Sequence, residues 1–123
     1  MHFVGTAVNV RALHVMPDVE GPASELHAHD YRIEVVVERE RLDDRGMVCD
    51  LDVLDATADS VRDKDLEVIR PSDRIAVTVE VFARWAYDRP AAALADTGAE
   101  QLTVRVWESP VAYGGYRGPI SAS

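Results

Sequence analysis

Two stretches of this chain alternate with a period of two, and in each the face so defined carries histidine at one end. From Val4 to His14 the even positions are Val4, Thr6, Val8, Val10, Ala12 and His14, with Asn9 and Arg11 on the other side. Successive strand residues point to opposite faces, so this is a strand with one buried face. After a loop rich in Pro, Gly and acids (Met16 to Leu26), His27, His29, Tyr31, Ile33, Val35 and Val37 share one face, and Ala28, Asp30, Arg32, Glu34, Val36 and Glu38 the other. An antiparallel hairpin is the simplest link between the two, and it sets His14 beside His27 and His29. Residues two apart on a strand lie on one side, about 6.5–7 Å apart, and a twist or bulge lets their imidazoles converge on one ion. Neutral imidazole nitrogens bind zinc at ~2.0–2.1 Å, and three protein ligands with an open fourth position form the catalytic arrangement. His14, His27 and His29 are therefore the expected metal ligands. His2 has no place in this scheme.

Beyond the second strand, the segment from Arg41 to Met47 reads as a turn. Leu51, Leu54, Ala58 and Val61 then recur at spacings of three and four, opposite Asp52, Asp55, Asp59 and Arg62, the pattern of an amphipathic helix. Ile75 to Trp85 fits two patterns: IAVTVEVF alternates like a strand, while Val79, Phe82, Ala83 and Ala86 make a helical stripe. Pro90 should stop either element, and an Ala-rich stretch leads to another strand. There Leu102, Val104, Val106 and Glu108 share a face, and Thr103, Arg105 and Trp107 the other. Pro110 ends it, and the Tyr- and Gly-rich tail has room for one last short strand. Glu108 sits where an unpaired buried carboxylate would be costly. Either the strand has reached solvent there, or the carboxylate anchors a ligand edge with adjacent N–H donors, such as that of a pterin or guanine.

At 123 residues the chain is expected to be a single domain, 1–123, with a core of two layers. Acidic residues outnumber basic ones 22 to 13, a net charge of −9, which argues against nucleic acid and against an anionic membrane surface as partners. The single cysteine, Cys49, has no partner for a disulfide, and no signal peptide or spanning segment is evident; a reducing cytoplasm fits.

Five motifs occur in order: Ala12 with His14; His27, His29 and Tyr31; Gly46, Met47, Val48 and Asp50; Thr78, Glu80, Ala83 and Trp85; and Val104, Val106 and Glu108. Together they resemble the 6-pyruvoyl-tetrahydropterin synthase family, which includes bacterial 6-carboxy-tetrahydropterin synthases of queuosine biosynthesis. The likeness runs from about Val4 to Tyr116. It implies an α+β tunnelling fold: a four-stranded antiparallel sheet with two helices on one face, assembled as trimers that stack into a homo-hexamer around an oligomeric barrel. It also implies that the ambiguous segment is a helix beginning near Thr78. It implies zinc on His14, His27 and His29 as cofactor, and a pterin ring anchored by Glu108 with Thr78 and Val79 as ring contacts.

The chain also departs from that pattern. Family enzymes place a proton-transferring cysteine four residues before the first histidine of the pair, and here that position is Ala23. The partner Asp-His pair after the first helix aligns with Arg62 and Asp63, or with Asp63 and Lys64 if a one-residue gap is allowed. Asp63 survives as a possible base in either register, and Ser24 and Glu25 are the other groups available for proton transfer. Cys49 occupies a variable position and reads as a small packing residue. The expected function is a zinc protein acting on or binding a pterin-like or purine-like heterocycle, without the standard triphosphate elimination. If active, it is a carbon–oxygen or carbon–carbon lyase with Asp63 or Glu25 as its base. The alternatives are a dihydroneopterin side-chain aldolase using Glu25, a non-catalytic binding oligomer, and a structural oligomer with vestigial sites.

Overall fold

The computed structural model describes residues 1–17, 20–54 and 57–120. Four strands, β1 (His2–His14), β2 (His27–Arg39), β3 (Gln101–Ser109) and β4 (Ala112–Pro119), form one antiparallel sheet in that order. Among the described residues one α-helix, α1 (Val79–Leu94), packs across β3 and β4. The α+β fold with a four-stranded antiparallel sheet, which the resemblance implied, is the one observed.

Alternation selects the buried face. Val10, Ala12, Tyr31, Ile33, Val35, Val37, Leu102, Val104 and Val106 are buried together with Phe82, Ala83, Ala86, Tyr87 and Leu94 of α1. Fully enclosing a side chain such as Phe82 or Leu94 is worth roughly 1.5–3 kcal/mol. Only the helical spacing of 79, 82, 83 and 86 delivers that burial, which decides the two-way pattern of Ile75 to Trp85. Ile75, which begins the strand-like alternation, is instead 76% exposed. Thr78 marks the switch: its backbone is extended, and its hydroxyl oxygen accepts the Val81 N–H at 3.2 Å, capping α1.

Pro90 does not end this helix. It lies inside α1, buried against the sheet, and the helix runs on to Leu94. An interior proline forgoes one backbone bond and costs roughly 3 kcal/mol. Burial of its own ring and of the fully enclosed Leu94 one turn later offsets that cost.

Between the turn at Arg41 to Met47 and Val61 the structure has short 3-10 turns, Leu51–Leu54 and Thr57–Val61, where an amphipathic α-helix was expected. The Asp50 carboxylate accepts the Asp52 N–H at 3.0 Å, a local bond that competes with α-helical pairing. Of the described side chains in the expected stripe, Val61 is enclosed while Leu51 is 43% exposed. Among the described residues the helical layer is thus α1 plus 3-10 turns. Asp18, Val19, Asp55 and residues 121–123 lie outside the described residues, as do the side chains of Ala23, Leu54 and Ala58.

Past Val61 the chain docks beside β1: Asp63 N–H donates to the Arg11 carbonyl at 2.7 Å, and Leu13 N–H to the Lys64 carbonyl at 2.9 Å. Cys49 is buried in the core cluster as a packing residue, and burial followed by the nearby Asp50 charge pushes its thiol pKa up. His2 bonds the Glu40 carbonyl through Nδ1 at 3.0 Å, which closes the far end of the β1–β2 pair.

Candidate metal centre and binding cavity

The β1–β2 register sets His14 opposite His27 and Ala12 opposite His29. The three imidazoles thereby meet at one end of the sheet, with ring centroids 5.5 Å apart for His14 and His27, 6.3 Å for His14 and His29, and 4.7 Å for His27 and His29. One ligand nitrogen from each falls within 4.8 Å of the others. Zn–N bonds of ~2.0–2.1 Å put tetrahedral ligand nitrogens about 3.4 Å apart, so the rings must close in by about an ångström.

The chemistry of the three residues fits a metal. His14 is only 6% exposed, and neither ring nitrogen has a hydrogen-bond partner. Burial lowers its pKa, and the neighbouring His27 lowers it further. The Val77 carbonyl faces the ring and acts in the opposite sense without reaching hydrogen-bond geometry. A neutral imidazole with an idle lone pair is what a metal requires. His27 Nδ1–H donates to the Glu25 carbonyl at 2.7 Å, which leaves the Nε2 lone pair available and fixes the ring orientation.

Glu108 approaches from the end of β3. Trp107 pairs with Tyr113, but Ser109 pairs with Ala112, so β3 carries one extra residue there. This bulge turns the strand end and brings the half-buried Glu108 into the same space. Its charge is felt by Tyr31, whose phenol pKa is raised by burial first and by Glu108 second. The first turn of α1 supplies the third wall. It sits close over β4: a Cβ on Gly114 would lie 2.6 Å from Val79 Cγ2 and 3.3 Å from Glu80 Oε1.

These elements enclose a cavity of about 520 Å³ lined by His14, Met16, His27, His29, Thr78, Val79, Glu80, Glu108 and Ser109. The three histidines and Glu108, singled out separately along the sequence, therefore share one cavity with Thr78 and Val79, which the resemblance added. The Asp63 and Glu25 side chains are not part of its lining. Asp63 is exposed and paired with Arg11 at 3.2 Å, and Glu25 is exposed at the loop end, contributing its carbonyl to His27. Ser24 is exposed and bonds the Gly21 carbonyl at 2.7 Å. Three lining residues escaped the sequence reading. Glu80 was visible only as a motif member, Ser109 belongs by parity to the other face until the bulge turns it, and Met16 carries no periodic signal.

A cavity of about 540 Å³ lies on the opposite, helix-free face of the sheet, lined by Asn9, Asp30, Arg32, Glu34, Trp107, Ser109 and Pro110. Among the described residues it holds no cluster of metal-ligating side chains.

Residues 6–119 match the sequence profile described as 6-pyruvoyl tetrahydropterin synthase. The 6-carboxy-5,6,7,8-tetrahydropterin synthase of Bacillus subtilis (strain 168) is 30% identical over 118 residues, covering 89% of this chain and 81% of that protein. In structure the chain is similar to 6-pyruvoyl tetrahydropterin synthase of Caenorhabditis elegans, with a TM-score of 0.72 at 19% identity over 95% of each chain. The Plasmodium vivax 6-pyruvoyl tetrahydropterin synthase gives a TM-score of 0.71 at 11% identity, over 98% of this chain and 100% of that one. That enzyme has also been solved with a catalytic glutamate replaced by cysteine or by alanine.

Proposed function

Because the chain belongs to the 6-pyruvoyl tetrahydropterin synthase family, we propose that its cavity binds a pterin-like or purine-like heterocycle over a zinc ion held by His14, His27 and His29, without the standard triphosphate elimination. The observation that carries this reading is the convergence of the three histidines, Glu108 and the α1 N-terminal turn on one cavity. When bound, zinc polarises a carbonyl or hydroxyl oxygen as a Lewis acid. The residues of the chain do the rest. Glu108 accepts paired N–H donors from the heterocycle edge, a charge-assisted contact that fixes ring orientation. Thr78 has its oxygen engaged with the Val81 N–H and keeps its own O–H to donate. Val79 packs against the ring, and the Glu25 carbonyl holds His27 in its ligating orientation.

Proton transfer is where the chain departs from its relatives. Ala23 has no proton to move, so the work falls to Glu25 or Asp63. Glu25 is favoured as the base of a second reading, retro-aldol cleavage of a dihydroneopterin side chain, in which its carboxylate takes the proton of a side-chain hydroxyl, a carbonyl forms at that carbon as the C–C bond breaks, the bond's electron pair passes into the pterin-side fragment, and the proton is returned to that fragment. Two things support it: Glu25 adjoins the metal centre through His27, and the Plasmodium vivax relative has a catalytic glutamate. Among the described residues no strand pairs with the outer edge of β4, and that of β1 is met only near Arg11 and Leu13 by the 63–65 segment, which supports assembly by edge pairing into trimers and hexamers.

The test is a zinc-loaded preparation assayed for metal content, binding and turnover. About one zinc per chain is expected, lost in His27→Ala. Neopterin or guanine should bind. Elimination from dihydroneopterin triphosphate should run at least ~100-fold below the rate of relatives, because a positioned acid or base contributes ~10²–10⁴-fold. Dihydroneopterin cleavage abolished by Glu25→Gln selects the aldolase; binding without turnover selects a non-catalytic role. Full triphosphate elimination, or protein purified without chelator that carries no transition metal, overturns the proposal.

A further inference from the structure

We infer that Trp107 is a positioning residue for the site: its ring, stacked on Tyr113 on the helix-free face of the sheet, fixes the strand end from which Glu108 enters the cavity. This rests on the ligand-anchoring role proposed above for Glu108 and deepens it. Nothing at the tip of Glu108 aims it. Among the described residues its carboxylate makes no hydrogen bond or ion pair, so its direction is set by its backbone. That backbone has few ties of its own. Trp107 is the last residue of β3 paired on both sides, with Arg32 of β2 and Tyr113 of β4. Glu108 is the extra residue of the bulge and pairs with neither strand, and Ser109 pairs with Ala112 alone.

A slip of one residue at this strand end would turn Trp107 toward the core and Glu108 away from the cavity. What opposes the slip lies on the other face. The Trp107 and Tyr113 rings stack with centroids 4.2 Å apart and planes 28° from parallel, at the last regular pair before the bulge. Cross-strand aromatic pairs of this kind hold a register. The ring, and not its N–H, is what the position uses: Nε1 is enclosed without a hydrogen-bond partner among the described residues, a state that costs free energy. Trp107 lines the cavity on the helix-free face and does not line the one that holds Glu108 and the histidines. It therefore acts on a ligand there only through its neighbour in the chain.

The experiment titrates zinc-loaded full-length protein with neopterin in a double-mutant cycle. Trp107→Leu removes the stack from one side, and Tyr113→Ala removes it from the other at a residue that is 56% exposed and tolerates truncation. Each should weaken neopterin binding about three- to tenfold, the factor an aromatic pair is worth, with zinc content unchanged. Trp107→Phe keeps a stacking ring without the unpartnered N–H and should bind within about twofold of wild type. In a Glu108→Gln background neither Trp107→Leu nor Tyr113→Ala should weaken binding further, because the stack acts through that carboxylate. Wild-type affinity in both single variants overturns the inference. So does an equal loss in the two backgrounds, a loss of zinc along with affinity, or a Trp107→Phe variant as weak as Trp107→Leu, each of which makes the stack a general support of the sheet. If Glu108→Gln binds as tightly as wild type, the anchoring role of Glu108 fails and this inference with it; if wild type binds no neopterin, the ligand class itself has failed.

Discussion

Replacing His14 by leucine should make the metal-free protein more stable and the zinc-loaded protein weaker by comparison. His14 is 6% exposed with both ring nitrogens unpartnered, and the nearby Val77 carbonyl eases the position of one of them. A buried polar group left unsatisfied costs about 1–3 kcal/mol, and leucine, of similar volume, removes that cost. For a domain of this length 1 kcal/mol moves the melting temperature by roughly 3–5 °C, so a rise of several degrees is expected in chelator. Zinc at 100 times its Kd should stabilise wild type by about 2.7 kcal/mol and the variant not at all. The order of the two melting temperatures then narrows or reverses when zinc is added. The pH dependence has a definite sign. Burial lowers the His14 pKa in the folded state, so the unfolded chain takes up the proton first. The contribution of His14 is therefore intact above the ordinary imidazole value of about 6.5 and is lost as pH falls below it, a loss His14→Leu should lack. Calorimetric melts at fixed protomer concentration, with and without zinc at several pH values, decide the matter. A variant less stable than wild type in chelator would show that His14 is a satisfied core residue rather than a site residue kept at a cost.

Glu108→Gln should lower affinity for neopterin or guanine about ten- to a hundredfold, the value of a charge-assisted hydrogen bond of ~1.5–3 kcal/mol, with zinc content unchanged. Equal affinity in calorimetric titration would return Glu108 to a solvated strand end. Gly114→Ala should destabilise the fold by about 1–3 kcal/mol in urea titration, because its Cβ would stand 2.6 Å from Val79 Cγ2 and push the α1 N-terminus off β4. An unchanged midpoint would mean that the helix can shift without loss. In light scattering at micromolar concentration the protein should contain a multiple of three chains, and a monomer would refute assembly through β1 and β4.

Strands β1, β2 and β3 were legible because each has a face turned to the core, which imposes the period of two, whereas β4 has no fully buried residue and left no such period. Val10, Ala12, Ile33, Val35, Val104 and Val106 all face inward as the alternation requires. The region 75–85 was not legible by period, because Val79 serves a strand pattern and a helical stripe equally; packing against β3 and β4 decided it. Pro90 misled because helix propensity is a local prior, and burial of Leu94 outweighs it. The segment from Leu51 to Val61 misled in the opposite direction. Its apolar spacing suits an α-helix, while the Asp50 side chain bonds the backbone two residues on and favours a tighter turn. Ser109 was invisible because a bulge leaves no mark on the alternation that precedes it.

The candidate metal centre depends on something finer than face. Alternation tells which side His14, His27 and His29 occupy, but a two-residue slip between β1 and β2 would preserve every buried face and still separate the histidines by a further pair. What excludes the slip lies outside the histidines. Thirteen cross-strand pairs run without interruption from His2 opposite Arg39 to His14 opposite His27. The far end is closed where His2 reaches the Glu40 carbonyl. At the near end Leu13 is tied to Lys64 and Arg11 to Asp63, so β1 is clamped along its outer edge beside the site. Each side-chain face repeats every two residues, whereas the complete set of pairs and end contacts forms in one register. The buried, unpartnered His14 therefore gains nothing from the hairpin alone, and its position is imposed by the rest of the sheet. Three histidines gathered at an energetic cost by distant pairing stand near one another whenever the chain is folded, and this is why removing the cost at His14 should show as added stability.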